Sequence, residues 1–164
     1  MGLVRPGHAR RAVSPRRRLP EAGRLLRELA REKIRCQLAG MVAAVLQGVP
    51  AGTIDTDLWV DLPERSYPRL LGLARQLGGT VLARTVVALR DDTLVNFLFR
   101  LDGLGSFARE WPRARRLRFA GRWVRVLPLR SILRSKRAAG RPKDLAVLPL
   151  LRSAIRRQGG RVGL

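Results

Sequence analysis

The spacing of hydrophobic residues in the first half of the chain predicts a helix, a strand, a second helix and a second strand. A helix begins near Pro20, because leucines at helical spacing follow it and mark one buried face. The segment "IRCQLAG" predicts a short strand that ends at Gly40, and "MVAAVLQG" predicts a buried helix that ends at Gly48. "TIDTDLWVD" predicts the second strand. The leucines that define the face of the first helix are Leu25, Leu26 and Leu29.

The second half of the chain predicts one more helix, two hairpins and two closing helical stretches. Apolar residues at helical spacing in "ERSYPRLLGLARQLGG" predict the helix, which ends at Gly78 and Gly79. "TVVALR" and "TLVNFLFRL" flank a short turn at 91–92, and "RLRF" and "WVRVLP" flank another at 120–121. "LRSILRSKRAAG" and "KDLAVLPLLRSAIRRQ" each predict a helix. This order predicts an α/β (α+β) domain around one sheet.

Length and composition predict one domain with basic ends. The chain has 164 residues, of which 46% are hydrophobic, enough for a real core. Residues 1–19 carry six arginines and no acid, so we expect a disordered arm, a domain at 20–158 and a flexible tail at 159–164. A single cysteine, Cys36, excludes a disulfide framework and a multi-cysteine zinc site, and the single histidine, His8, makes histidine-based catalysis a weak hypothesis. No segment has a signal-peptide pattern or the ~20 apolar residues of a membrane-spanning helix, so we expect a cytoplasmic protein.

The charge of the chain is concentrated at its two ends. The net charge is +22, with a charge of +8 on residues 1–39, −1 on residues 40–110 and +15 on residues 111–164. Such a field attracts polyanions, with nucleic acid or nucleotides as the natural partners. A solvated basic surface without a ligand is the alternative. The chain has 31 arginines and 3 lysines, an imbalance that a GC-rich genome also produces.

Two aspartates lie two positions apart in the second predicted strand. Asp55 and Asp57 share one face of the strand, roughly 7 Å apart, while Leu58 and Val60 mark the other face. Neighbouring carboxylates repel unless a cation lies between them, and Mg²⁺ or Mn²⁺ is the cation that prefers carboxylate oxygens. The alternative is an exposed strand edge, where paired acids cost little free energy. On the aspartate pair alone, the exposed edge is the more common case.

Asn96 is a polar residue in the middle of a predicted apolar strand. Val95 and Phe97 point to the opposite face from its side chain. A buried amide needs hydrogen bonds, so Asn96 either pairs within the structure or faces a site beside the aspartates.

Three further segments have a simple structural explanation. "DGLGSFA" matches a dinucleotide-binding pattern, but Pro112 interrupts the helix that should follow, and glycines in a turn explain it better. "WPRARRLRFAGRWVRV" interleaves arginines with aromatic residues, as in single-stranded nucleic-acid binders. A hairpin with Leu117 and Phe119 in the core and the arginines in solvent is the interpretation we favour. "SKRAAGRPKD" predicts a helix end and a helix start, yet it also holds Lys136 and Lys143, and lysine is a frequent phosphate partner.

Taken together, these segments resemble the small bacterial nucleotidyltransferase-fold proteins of the polymerase-beta type, including toxins of abortive-infection toxin–antitoxin systems. In that family a strand enters a Gly-Gly or Gly-Ser turn, a short helix follows, and D-x-D lies on the next strand. Here the run is "LAGMVAAVLQGVPAGTIDTDLWVD", in which Gly40 matches the second turn position and Ala39 replaces the first. The resemblance covers roughly residues 22–157 and implies a minimal mixed, mostly antiparallel sheet with helices mainly on one side.

The resemblance implies a metal and nucleotide site. Asp55 and Asp57 match the Mg²⁺ (or Mn²⁺) ligands and the catalytic pair, and Gly40 lies where backbone amides approach the nucleotide. "SKRAAGRPKDLAV" is similar to the family's closing block, in which Lys136 and Asp144 match nucleotide-binding positions. Val147 stands where many relatives carry a further aspartate.

The resemblance also implies a reaction, with one departure from the family pattern. The reaction is transfer of a nucleoside monophosphate from an NTP to an acceptor hydroxyl, with two metal ions clamping the attacking and leaving oxygens. The basic ends suit an RNA acceptor such as tRNA. Asn96 occupies the position of the third catalytic carboxylate, and Asp102, at the far end of the same strand, is the candidate substitute, although it would have to reach several residues back. Two alternatives follow: a catalytically impaired interaction or regulatory module, for example one member of a toxin–antitoxin pair with a partner protein, or a basic nucleic-acid-binding domain with structural acids.

Overall fold

The computed structural model describes residues 20–53 and 55–160. The predicted basic arm and residues 161–164 lie outside that part of the chain. The helices are α1 Glu21–Arg31, α2 Gly40–Leu46, α3 Tyr67–Gln76, α4 Phe107–Glu110, α5 Leu129–Ala139, α6 Pro142–Ala146 and α7 Leu148–Gly160. The strands are β1 Cys36–Ala39, β2 Asp55–Val60, β3 Thr80–Val81, β4 Val86–Ala88, β5 Leu94–Leu98, β6 Arg115–Phe119 and β7 Arg122–Val126.

All seven strands form one mixed sheet in the order β3-β4-β5-β2-β1-β7-β6. Strands β2 and β5 are parallel, as are β1 and β7, while the other four neighbouring pairs are antiparallel. The prediction of a mixed, mostly antiparallel sheet is therefore confirmed. The parallel pairs place β1 and β2 at the centre, where hydrogen bonds on both sides hold them.

The central strand β2 separates a core face from a polar face. Thr56, Leu58 and Val60 are buried on one face, and Asp55, Asp57 and Trp59 lie on the other because side chains alternate along a strand. The predicted division of these faces is confirmed at every position that the structure describes.

Both predicted hairpins are present, and each turn needs backbone in the left-handed region. Asp92 has φ +64 in the turn between β4 and β5. Ala120 and Gly121 have φ +48 and +78 between β6 and β7, the pattern of a two-residue turn that follows the twist of the strands. Leu117 and Phe119 pack against the core, as the hairpin interpretation predicts.

The structure differs from the predicted elements in three places. The last predicted helix, "KDLAVLPLLRSAIRRQ", is two helices, because α6 ends at Ala146 and α7 begins at Leu148 with Pro149 in its first turn, where proline needs no hydrogen-bond donor. Strand β3 was not predicted, since two residues carry no periodicity. Helix α4 was not predicted either; Ser106 Oγ accepts a hydrogen bond from the Arg109 N–H and caps it.

Among residues 20–53 and 55–160, the structure contains no helix that is both long enough and apolar enough to cross a membrane.

Candidate active site

The turn from β1 into α2 brings backbone against an Asp57 carboxylate oxygen. Strand β1 pairs with β2 so that Ala39 lies opposite Asp57. Gly40 follows with φ +60, and a Cβ atom there would overlap Asp57 Oδ2. Only glycine combines this backbone conformation with such a close approach. The glycine thus leaves the carboxylate face of β2 open beside the start of α2.

Asn96 lies on the other side of the same carboxylate. Strands β2 and β5 pair in parallel with Asp57 opposite Asn96. Asn96 Nδ2 donates to Asp57 Oδ1 at 3.2 Å, and Asn96 Oδ1 accepts from Thr85 Oγ1 at 3.1 Å. The sequence left open whether Asn96 pairs within the structure or faces a site beside the aspartates. It does both, because its amide is hydrogen-bonded to Thr85 and to Asp57. Thr85 is a partner that the sequence pattern did not indicate.

The opposite wall is a buried ion-pair cluster between α5 and α6. Lys136 Nζ donates to Asp144 Oδ1 at 2.9 Å, and Arg141 Nε donates to Asp144 Oδ2 at 2.6 Å. Asp144 is fully buried, whereas the Arg141 side chain is 59% exposed. Burial alone would raise the pKa of the Asp144 carboxyl, but the hydrogen bonds from Arg141 and Lys136 outweigh burial and hold that pKa below its usual range. Asp144 is therefore a buried anion that fixes the direction of Lys136.

The six residues singled out in the sequence meet at one cleft. The cleft has a volume of about 410 Å³ and is open to solvent on one side. It brings together residues from β2, β5, the start of α2 and the α5–α6 connection, which are far apart along the chain. The predicted residues that line it are Gly40, Asp55, Asp57, Asn96, Lys136 and Asp144, together with Asp102.

Two basic residues of the cleft, Arg100 and Arg141, were not indicated by the sequence as site residues, whereas Lys143 was noted there as a possible phosphate partner. Arg100 lines the cleft and follows Asn96 and Leu98 at strand spacing, so alternation along β5 was a usable signal. Lys143 lines it as well and lies in the same ten-residue stretch as Lys136. Arg141 had no such signal, because its role depends on how α6 folds back against α5.

The environment of Asp57 disfavours its negative charge. Burial raises the pKa of the Asp57 carboxyl, and the neighbouring Asp55 raises it further. The Asn96 hydrogen bond and the charges of Lys136 and Lys143 oppose this, yet the pKa stays above its ordinary value. Asp57 is thus an anionic position that residues 20–53 and 55–160 do not neutralise fully, and a bound cation would stabilise its charge.

The donor set of the cleft fits one hard divalent ion. Within the described ranges there is no group of three or more His, Cys, Asp or Glu side chains arranged to hold a metal. Asp55 and Asp57 alone match the way Mg²⁺ is usually bound, through one or two carboxylates plus substrate phosphates and water. The Asn96 amide presents its N–H to Asp57, so it offers no oxygen on that side for a second ion.

Comparison with known proteins supports the fold. No protein-family model and no curated protein matches this sequence. Solved structures do match, and two of them are of the antibiotic-resistance factor ANT(2'')-Ia. Its solution structure has a TM-score of 0.54 at 18% identity over 86% of this chain and 92% of that chain. Its crystal structure with adenylyl-2''-tobramycin has a TM-score of 0.55 at 18% identity over 86% and 91%.

Two other enzymes or enzyme-like proteins are similar to the same extent. The lincosamide antibiotic adenylyltransferase LnuA with bound lincomycin has a TM-score of 0.53 at 13% identity over 82% of this chain and 96% of that chain. An antigenic nucleotidyltransferase-like protein from Paracoccidioides brasiliensis has a TM-score of 0.51 at 20% identity over 80% and 72%. At these identities the likeness shows the fold alone. The chain has a nucleotidyltransferase-type fold, as the sequence resemblance implied.

Proposed function

We propose that this chain uses its nucleotidyltransferase-type fold to transfer a nucleoside monophosphate from an NTP to an acceptor hydroxyl, with Mg²⁺ or Mn²⁺ bound. One observation carries the proposal: Asp55, Asp57, Gly40 and Lys136 come from four separate segments and line one cleft. Two carboxylates, a glycine turn and a lysine in one cleft are the chemistry that a metal-bound triphosphate requires.

Each residue has a role that follows from its position. Asp55 and Asp57 would hold the divalent ion, which supplies positive charge for the triphosphate. Gly40 lets the phosphates approach the backbone beside Asp57, because no Cβ fills that space. Lys136 offers an ammonium group on the facing wall, and Asp144 is the positioning residue that orients it.

The transfer step is a displacement at the α-phosphorus of the NTP. A bond forms between the acceptor oxygen and that phosphorus, the bond to the β-phosphate oxygen breaks, and pyrophosphate leaves. The acceptor hydroxyl loses its proton in this step. Asn96 cannot accept it, because an amide is not a base, so we assign proton acceptance to Asp102, an exposed carboxylate of the same cleft.

The test is incorporation of label from each α-³²P-NTP into purified bulk tRNA by the full-length protein. We expect incorporation that needs Mg²⁺ or Mn²⁺ and that falls to background in Asp57→Ala. Asp92→Asn is the matched control, since Asp92 is an exposed aspartate at φ +64, a conformation that asparagine tolerates. Incorporation by Asp57→Ala at the wild-type rate would contradict the proposal.

A second candidate function is supported by the hydrogen bond between Asn96 and Asp57. In this alternative the fold binds nucleotide without transferring it and serves as an interaction or regulatory module, for example with the partner protein of a toxin–antitoxin pair. The same assay separates the two candidates. NTP binding that needs Mg²⁺ without incorporation, and a gain of incorporation in Asn96→Asp, would favour the second. A cytoplasmic site of action, where NTPs are abundant, is part of both proposals.

A further inference from the structure

A second cavity lies away from the aspartates, between α1, the beginning of β1 and strand β7. Its volume is about 370 Å³, within the range of roughly 300–1,000 Å³ that small ligands occupy. Its lining includes four basic residues and no acidic one. Arg35 is already paired with Asp61, since Arg35 Nη2 donates to Asp61 Oδ2 at 2.6 Å, and the other three basic residues favour a ligand with negative charge there. The four basic residues are Lys33, Arg35, Arg122 and Arg125.

The lining of this cavity includes a buried amide without a partner. Gln37 is only 1% exposed, and no group among residues 20–53 and 55–160 lies within hydrogen-bond distance of its side-chain nitrogen or oxygen. The indole N–H of Trp59, which lies opposite Gln37 on the neighbouring strand, is also unpaired within that range. Buried polar groups without partners are costly and rare, so they indicate a ligand or a functional role. An amide that offers one donor and one acceptor side by side matches the edge of a nucleobase.

The outward face of the β6–β7 hairpin continues this surface. Arg118 lies opposite Trp123, and Arg116 lies opposite Arg125, so these four side chains share one face. Arg125 in turn lies opposite Gln37, which places the cavity and the hairpin on the same face of the sheet. We call the five residues Arg116, Arg118, Trp123, Arg125 and Gln37 the hairpin face.

The hairpin face combines an exposed aromatic ring with cations around it. Trp123 is 60% exposed, unusual for the largest side chain. The guanidinium groups of Arg116 and Arg118 lie 5.9 and 5.4 Å from the centre of its ring. An open aromatic ring in a cationic setting is the arrangement on which bases of a single strand stack.

We propose that the hairpin face binds single-stranded nucleic acid. One base enters the cavity and, once the side chains that cover Gln37 move aside, pairs its edge with that buried amide. A second base stacks on Trp123, and Arg116, Arg118 and Arg125 bind the intervening phosphates. The three arginines lie on two protein strands, β6 and β7, and so offer several phosphate positions. A free nucleotide would use only one of them, which favours a longer nucleic-acid chain. A duplex hides the base faces that Trp123 needs.

This inference rests on the proposed function only in that the bound strand would carry the acceptor hydroxyl. Trp59, Gln37 and Arg125 lie side by side on three neighbouring strands. Asp57 precedes Trp59 by two residues on the same strand, so it lies about 7 Å from Trp59 along the strand direction. Binding itself needs neither NTP nor metal. It is therefore measurable when transfer is absent.

The first experiment is fluorescence anisotropy with the full-length protein in EDTA and without NTP. The probes are a labelled ten-nucleotide oligo(U), a labelled ten-base-pair duplex, and unlabelled UMP as a competitor. We expect oligo(U) to bind at least about fivefold more tightly than the duplex, since stacking on one aromatic ring accounts for that much. Equal affinity for the duplex, or full competition by micromolar UMP, would overturn the proposal.

Matched charge variants locate the binding surface. The double substitution Arg116→Gln with Arg118→Gln should make binding less dependent on salt. The negative slope of log affinity against log salt should become shallower by about 1.4, because each phosphate contact on a single strand contributes about 0.7. Arg152→Gln with Arg156→Gln removes the same charge from exposed positions of α7 and should leave the slope unchanged. An equal effect of both pairs would show attraction by net charge alone and would overturn the proposal.

Matched apolar variants test the stacking contact. Trp123→Ala should weaken oligo(U) binding by roughly fivefold or more. Leu82→Ala is the control, because Leu82 is 56% exposed and lies beyond β3 at the far edge of the sheet. Unchanged binding by Trp123→Ala would overturn the proposal.

Gln37→Leu separates a binding role from a structural one. Leucine replaces an unpaired buried amide by an apolar group of similar size, so the unfolding temperature should stay equal or rise. Affinity for oligo(U) should fall severalfold at the same time. A lower unfolding temperature with unchanged affinity would assign Gln37 to structure alone and contradict its place in the site.

The outcomes of the two proposals are distinguishable. One outcome is that oligo(U) still binds to Asp57→Ala while wild-type protein shows no incorporation. That outcome would contradict the proposed transfer and support binding at the hairpin face. The other outcome is that incorporation into tRNA is unchanged by Trp123→Ala and by the double substitution of Arg116 and Arg118. That outcome would support the transfer and contradict binding at the hairpin face.

Discussion

The two sides of the cleft each hold a carboxylate, and the protein treats the two in opposite ways. Asp57 has a raised pKa, because burial and the adjacent Asp55 outweigh its single amide hydrogen bond and the nearby lysines. Asp144 is more deeply buried yet has a lowered pKa, because hydrogen bonds from Arg141 and Lys136 outweigh its burial. Among the described residues, both oxygens of Asp144 have cationic partners, whereas the groups around Asp57 do not offset its charge fully.

From this difference we propose that the Asp144 wall serves the structure and that the Asp57 wall serves a ligand. A buried anion that is paired on both oxygens depends on its partners, because removing one of them leaves a buried charge uncompensated. A partly buried anion whose charge is offset incompletely destabilises the fold, and such groups cluster at functional sites, where a ligand supplies a cation. We therefore propose that Asp144 holds Lys136 in place and that Asp57 belongs to a metal and nucleotide site.

Asp57→Asn should have the largest effect on activity and the opposite effect on stability. Incorporation should fall to background, because asparagine is a poor ligand for Mg²⁺. The unfolding temperature at pH 7 should rise by a few degrees, the shift that about 1 kcal/mol gives in a chain of this length. Calorimetry and the incorporation assay on one protein preparation measure both effects.

The pH dependence of this variant checks the cause of its stability. A carboxyl with a raised folded pKa contributes stability below its unfolded pKa near 3.8 and loses that contribution as pH rises through the folded pKa. The advantage of Asp57→Asn should therefore be present at pH 7 and vanish below pH 3.8. A variant less stable than wild type at pH 7 would show that Asp57 is a structural anion like Asp144.

Lys136→Met should reduce incorporation by roughly a hundredfold, the scale of losing one charged contact to a reacting phosphate. The acid limb of the pH–rate profile should also move to higher pH, because the positive charge of Lys136 lowers the pKa of Asp57 and its removal lets that pKa rise. Lys136→Arg keeps the charge and should leave the limb in place. A limb that moves equally in both variants would contradict a through-space effect of the charge.

Asp144→Ala should lower the free energy of unfolding by roughly 2–4 kcal/mol. The value lies below that of a fully buried pair because the Arg141 side chain is 59% exposed. Its lowered pKa means that Asp144 contributes stability above the unfolded pKa near 3.8 and loses it as pH falls through the folded pKa. Urea unfolding at pH 7 and pH 3 should therefore give a smaller difference between variant and wild type at pH 3.

The sequence predicted the Asp57 wall better than the Asp144 wall, for a physical reason. Alternation along a strand fixes which side chains share a face, so the placement of Asp57 and Asn96 on the polar face followed from a period of two residues. The hydrogen bond between them joins residues 39 positions apart and needed the parallel pairing of β2 with β5. The family resemblance of "SKRAAGRPKDLAV" indicated Lys136 and Asp144 as site residues. It did not indicate that Lys136 donates a hydrogen bond to Asp144.

The elements missed in the sequence share a dependence on tertiary packing. Strand β3 has two residues, and α4 has four. Phe107 of α4 packs edge-on against Trp59, with ring centres 5.4 Å apart, and a contact between residues so distant in sequence leaves no periodic pattern. The division of the last helix depended on Pro149, which is equally compatible with a kink and with a new first turn.

Gly40→Ala should lower stability less than Asp144→Ala does and should act on the Asp57 wall alone. The left-handed backbone costs alanine about 1–2 kcal/mol, and the new methyl group displaces the Asp57 carboxylate. Gly72→Ala in α3 is the control, because nothing lies within 4 Å of its added Cβ, and it should stabilise by up to about 1 kcal/mol. Equal urea midpoints for the two variants would contradict the close approach at Gly40.

Titration with Mn²⁺, followed by electron paramagnetic resonance of the free ion, tests the central assignment most directly. With a non-hydrolysable NTP analogue present, we predict saturable uptake of one Mn²⁺ per wild-type chain beyond the uptake by the analogue alone. We predict no such uptake by Asp57→Asn and wild-type uptake by Asp92→Asn. Wild-type protein that takes up no Mn²⁺, or Asp57→Asn that binds it as wild type does, would contradict the assignment of this wall to metal and nucleotide.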